Sequence, residues 1–92
     1  MNHRELGIDS VNYPEVARHH VYLHIATEEY FDVNLSDVYT VWFCYILGGW
    51  KALVSTDRED NRYYEVTYND TKGETYLDIY IKAENRVLGK DK

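Results

Sequence analysis

The chain has 92 residues, 45% of them hydrophobic, with five glycines, one proline and no low-complexity run; this is the make-up of one packed domain and excludes a disordered chain or a second core. Its formal net charge is −6, sixteen acids against ten Lys and Arg, so it repels phosphate backbones and nucleic acid is disfavoured as a ligand. No apolar run reaches the roughly 18 residues of a membrane span, residues 1–5 lack the apolar segment of a signal peptide, and the lone cysteine, Cys44, has no partner for an internal disulfide, so the expectation is a cytoplasmic protein with no membrane contact.

Residues 1–11 carry no periodicity and read as a flexible leader. Residues 12–31 read as a helix: Asn12 or Tyr13 can cap it, Pro14 suits the first turn and Glu15 favours the positive end of the dipole. At 100° per residue, Tyr13, Val16, Ala17, Leu23, Tyr30 and Phe31 fall on one side, with Glu15, Arg18, His19 and Glu29 opposite, which predicts one buried face. Residues 38–47 form an unbroken β-branched, aromatic and apolar run. Both alternating sets are apolar, the pattern of a strand covered on both faces or central in a sheet, and it predicts that Trp42 and Phe43, with Leu53 of the next strand, are hidden.

Gly48-Gly49 can close a two-residue hairpin into a second strand, residues 50–56. After a polar loop over residues 57–61, Tyr64, Val66 and Tyr68 alternate with Glu65 and Thr67 in a half-exposed third strand, residues 62–69, and residues 69–73 make another turn. Two periods compete from Thr75 onward. Leu77, Ile79 and Ile81 alternate as in a strand, whereas Tyr76, Leu77, Tyr80, Ile81, Val87 and Leu88 share a helical face ahead of Gly89, so residues 75–88 are assigned to a helix. The expected fold is α+β: an N-terminal helix, a three-stranded antiparallel meander sheet and a C-terminal helix, as one domain over residues 12–89 with a polar tail at 90–92.

Residues able to do chemistry are sparse. His20, His24 and Glu28, spaced i, i+4, i+8, would place two imidazoles and a carboxylate on one helix face, but a metal needs further ligands and none is evident; neutral histidines at the core edge are the preferred reading. Cys44 with a histidine would make a nucleophilic pair only beside a cation, and between Phe43 and Tyr45 it reads better as a small buried hydrophobe. Asp57, Glu59 and Asp60 crowd a loop without the glycine of a calcium-binding turn. No phosphate-binding loop or nucleophile motif occurs, so neither catalysis nor a cofactor is expected. The order α-β-β-β-α is also that of the double-stranded RNA-binding domain, which carries lysines at the start of its last helix; Glu74 and Asp78 stand in that region here, so RNA binding is disfavoured.

At "DVYTVWFCYILGGWKALVST" (residues 37–56) and "YYEVTYNDTKGETYLDIYIKAENRV" (residues 63–87) the chain resembles a family of small uncharacterised proteins encoded by phages and prophages of Gram-positive bacteria. Val41-Trp42, Trp50-Lys51-Ala52-Leu53, Ser55-Thr56, residues 63–69, Tyr76-Leu77-Asp78 and Glu84-Asn85 carry the likeness. It implies a phage origin and a bacterial cytosol, and no activity.

Taken together these features favour a small acidic phage accessory protein that acts by binding a host or phage protein, through Glu59, Asp60, Tyr63, Glu65, Glu74, Asp78, Tyr80 and Glu84. Two alternatives stand beside it: the acids mimic nucleic-acid phosphates and block a host nucleic-acid-binding or defence protein, or the chain is a small metal-dependent or thiol enzyme. A homodimer formed by sheet extension is a further possibility.

Overall fold

The structure, a computed structural model, describes residues 11–29 and 32–90; residues 1–10 of the expected leader, and Tyr30 and Phe31 of the expected helical face, lie outside them. Helix α1 spans Tyr13–Glu28. It starts where the sequence places it because the Asn12 side chain accepts the Glu15 N–H at 3.3 Å and Pro14 sits in the first turn. Its buried stripe is Ala17, Val21 and Ile25; Ala17 lies on the predicted face, whose Tyr13 and Val16 also pack against the core, but the stripe turns toward Val21 and Ile25 and leaves Leu23 exposed. Ala17 has no bulk to hold the helix off the sheet, and the β-branched Val21 and Ile25 fill the contact, so packing chose the smaller, branched side chains over Leu23.

Arg18, expected in solvent, clamps helix to sheet. Its guanidinium binds Glu15 at 2.8 Å and donates to the Leu35 and Val38 carbonyls at 2.6 and 3.0 Å. Those carbonyls belong to a 3₁₀ turn, Leu35–Asp37, and to the start of the first strand, so Arg18 fixes where the sheet begins relative to α1.

Four strands follow: β1 (Val38–Ile46), β2 (Gly49–Thr56), β3 (Arg62–Asn69) and β4 (Glu74–Ile81), paired antiparallel in the order β1-β2-β3-β4. The expected C-terminal helix is instead β4, followed by exposed chain without regular secondary structure over residues 82–90. The Asn69 side chain accepts the Lys72 N–H at 3.1 Å, the Gly73 N–H bonds Asn69 O at 2.8 Å, and Gly73 takes φ +64, which returns the chain directly onto β3. A strand there satisfies the outer backbone groups of β3, which a helix would leave unpaired, so the period-2 set Leu77, Ile79, Ile81 prevails.

Strand β1 is an edge strand, not a central one. Its register on β2 slips between Thr40 and Trp42, a bulge at Val41. Before the bulge Val38 and Thr40 lie over Thr56 and Val54; after it Phe43 and Tyr45 lie over Ala52 and Trp50. The one-residue insertion moves the helix-facing set from even to odd positions, which is why both alternating sets had to be apolar. The next turn is Leu47-Gly48, one residue earlier than the expected Gly48-Gly49, because Gly49 already pairs with Ile46; Gly48 takes φ +82, and a Cβ on Gly49 would run into the Tyr68 carbonyl of β3.

Helix α1 covers one face of β1, β2 and β3. Ala17, Val21, Ile25, Val33, Val38, Trp50, Ala52, Val54, Tyr64 and Val66 make the core there, and Trp50 stacks between Tyr13 and Tyr68 at 5.6 and 5.9 Å.

Candidate interaction face

The opposite face of the sheet carries no covering element among the described residues. Alternation along the paired strands assigns its side chains: Tyr39, Trp42, Cys44 and Ile46 from β1, Lys51 and Leu53 from β2, Tyr63, Glu65 and Thr67 from β3, and Glu74, Tyr76, Asp78 and Tyr80 from β4. Trp42 is 41% exposed and Tyr39 45%, while Phe43 and Leu53 are half-buried, so the expectation that this region lies hidden is corrected for the outward set. The one α-helix among the described residues is 16 residues long and covers a single sheet face, and no second helix among them covers the other.

This face is divided. Its β1–β2 half is apolar, built from Tyr39, Trp42, Ile46 and Leu53, with Val41 exposed at the bulge. Its β3–β4 half is acidic and tyrosine-rich. Glu65 stands directly opposite Asp78, and Tyr63 opposite Tyr80. The Tyr80 hydroxyl donates to Glu65 at 3.2 Å and Lys51 approaches the same carboxylate at 3.8 Å, across the boundary between the halves. The negative charge of Glu65, and the hydrogen bond to it, raise the Tyr80 hydroxyl above its ordinary pKa; the hydrogen bond to Glu74 at 2.6 Å does the same for Tyr76. Both phenols therefore stay neutral donors.

The structure brings Tyr63, Glu65, Glu74, Asp78 and Tyr80 of the predicted contact residues together and leaves the others apart. Glu59 is exposed on the β2–β3 loop, Asp60 is held by Arg58 at 3.1 Å and Arg62 at 3.9 Å, and Glu84 pairs with Arg86 in the exposed segment after β4. Sequence reasoning missed Tyr39, Trp42 and Ile46 as surface residues and Leu53 as a half-buried one. The signal was present in the doubly apolar pattern of β1, which a bulged edge strand explains as well as a buried one.

The candidate chemical groups disperse. His20 and Glu28 are exposed, contrary to the expected burial of both histidines, and only His24 is half-buried, with its ring 6.0 Å from Tyr64. Cys44 is exposed rather than a buried hydrophobe, and it lies on the open face, so the sheet separates it from the histidines of α1. Among the described residues no three His, Cys, Asp or Glu side chains gather as a metal site, and no helix is long and apolar enough to cross a membrane.

One polar cluster was not anticipated. Glu29, just past the end of α1, accepts from Arg58 at 3.0 Å and from the Tyr64 hydroxyl at 2.8 Å, with Arg62 at 3.3 Å and His24 at 3.1 Å. Burial alone would raise this carboxyl, but the hydrogen bonds from Arg58 and Tyr64 and the charges of Arg62 and Arg58 hold it below its ordinary value. Burial and the bond to Glu29 push Tyr64 up to about 12. The cluster locks the helix end to β3 and the β2–β3 loop, which is structural work on the covered side of the sheet.

Residues 14–90 match a family of unknown function (DUF6275), a span that runs from the first turn of α1 through all four strands. The chain belongs to that family. No curated protein and no solved structure matches it. In this DUF6275 chain the divided face and the Glu29 cluster both fall inside the matched span.

Proposed function

We propose that the chain is a non-catalytic accessory protein of phage or prophage origin that acts in a bacterial cytosol by binding another protein through the uncovered face of its sheet. The partner surface that fits is an apolar ridge flanked by Lys or Arg, the ridge meeting Trp42 and Leu53 and the cations meeting Glu65, Glu74 and Asp78. The observation that carries this is the face itself, where exposed aromatic and aliphatic side chains adjoin a row of acids on a body of net charge −6. The phage origin is supported by the resemblance at residues 37–56 and 63–87. Phosphate mimicry has less support, because Glu59, Asp60 and Glu84 lie off the face that holds the other three acids.

Capture from bacterial lysate by wild type, Trp42→Ser, Asp78→Lys and the helix-flank variant Leu23→Ser tests the proposal. A protein retained by wild type and Leu23→Ser but lost by the two face variants supports it, and retention should fall as salt rises. Equal capture by all four proteins would overturn it.

A further inference from the structure

We propose that the free edge of β1 pairs with β1 of a second copy of this chain, joining two four-stranded sheets into one of eight strands. The edge is available. β1 ends the strand order, and no strand lies outside it among the described residues. At its start the edge is closed, because the Val38 N–H bonds Leu35 O and the Val38 carbonyl accepts Arg18. Beyond the Val41 bulge it is open. The two-residue turn at Leu47 and Gly48 makes Ile46 and Gly49 a bonded pair, so alternation sends the backbone groups of Phe43 and Tyr45 outward, away from β2.

Charge selects this edge and selects a second copy as its occupant. Edge strands are commonly guarded by lysine, proline, an inward charge or a bulge. In its nine residues, VYTVWFCYI, β1 has no lysine, proline or inward charge, and its one guard, the bulge at Val41, lies ahead of residues 42–46. The other edge, β4, holds Glu74 and Asp78. A two-fold axis sets a strand against itself, so pairing through β4 would bring like carboxylates together on bodies of charge −6, whereas pairing through β1 meets only neutral side chains. β3 stands two strand spacings, about 10 Å, from β1. Glu65 and its mate would then be about 25 Å apart, well beyond the Debye length of about 8 Å at physiological salt.

Pairing over residues 42–46 leaves Val38 and the Arg18 clamp untouched. It also merges the Trp42, Cys44 and Ile46 sides of two copies into one apolar band with the acids at its outer ends. The inference stands on the strand edge and does not depend on the partner proposed for the face.

Cys44 is the only cysteine in the chain and is exposed. An antiparallel two-fold pair centred on Phe43, Cys44 or Tyr45 puts each Cys44 within about 10 Å of its mate in every register. Sedimentation across a wide concentration range, with cross-linking by a short bismaleimide, therefore reads both the dimer and its site. The expected result is a concentration-dependent dimer, bridged through Cys44. Tyr45→Pro, which removes an outward N–H, and Tyr45→Lys, which keeps the backbone and places a cation on the pairing segment of each copy, should each reduce bridging at least tenfold. Ile79→Lys, on the far edge strand, should dimerise as wild type does. A monomer at every concentration would overturn the proposal. So would a dimer that Cys44 fails to bridge or that survives both Tyr45 variants. A monomer that still captures its partner through the open face would refute the dimer alone.

Discussion

Tyr64→Phe isolates the bond that ties β3 to the end of α1. Tyr64 is 1% exposed, and its hydroxyl donates to Glu29 at 2.8 Å. The substitution removes a donor and no carbon, so it opens no cavity of consequence and strands no buried N–H or O–H. A hydrogen bond to a charged group contributes about 1.5–3 kcal/mol, and since Arg58 and Arg62 remain on Glu29 the lower end applies, about 1.5 kcal/mol. For a domain of this size that is a fall in Tm of roughly 6–12 °C.

The loss also has a pH signature. The folded pKa of Glu29 lies below its ordinary 4.5, so its stabilisation is fully present above that value and is lost as pH falls through the folded pKa. Against neutral Glu29 the same hydroxyl makes only an ordinary hydrogen bond, so the deficit of Tyr64→Phe should shrink by about half in acid. Urea denaturation of both proteins at steps from pH 7 to pH 3 measures it. A deficit below about 0.5 kcal/mol at pH 7, or one that grows as the pH falls, would refute the reasoning.

Three further outcomes are expected. Gly49→Ala should cost about 3 kcal/mol or more in thermal or urea unfolding, because its Cβ would meet the Tyr68 carbonyl of the neighbouring strand rather than a side chain that can move. Val54→Ala should cost about 2 kcal/mol or more and Trp42→Ser less than about 1 kcal/mol in the same assay, since Val54 is fully enclosed and Trp42 faces out; a reversed order would place Trp42 in the core. Truncation after Lys82, whose N–H still bonds Asn61 O at 2.8 Å, should change stability by no more than about 0.5 kcal/mol, whereas a C-terminal helix would lose far more.

Local chemistry made the early elements readable. The start of α1 was legible from Asn12 and Pro14, and strands β1, β2 and β3 from runs bounded by Gly48-Gly49, the loop at residues 57–61 and the Asn69 turn. What failed depended on partners. For β4 the two periods fit nearly the same residues, and the open edge of β3 decided between them. The buried face of α1 followed from which side chains allow close approach to the sheet, a property of the sheet as much as of the helix. Trp42 could not be placed outside without the Val41 bulge, whose register slip has no marker residue. Glu29 read as a solvent charge because Arg58, Arg62 and Tyr64 reach it from at least 29 positions away in the chain. Among the predicted contact residues, those on β3 and β4 gathered because alternation carries them to one face; the loop and tail acids had no such constraint.

Acrylamide quenching of the two single-tryptophan variants, at concentrations low enough to keep the chain monomeric, probes the uncovered face directly. Trp50→Phe leaves Trp42, which should be quenched several-fold more steeply than the Trp50 remaining in Trp42→Phe, whose indole is 4% exposed against 41% for Trp42. Equal protection of both indoles would mean that something covers the face, and the interaction surface described above would not exist.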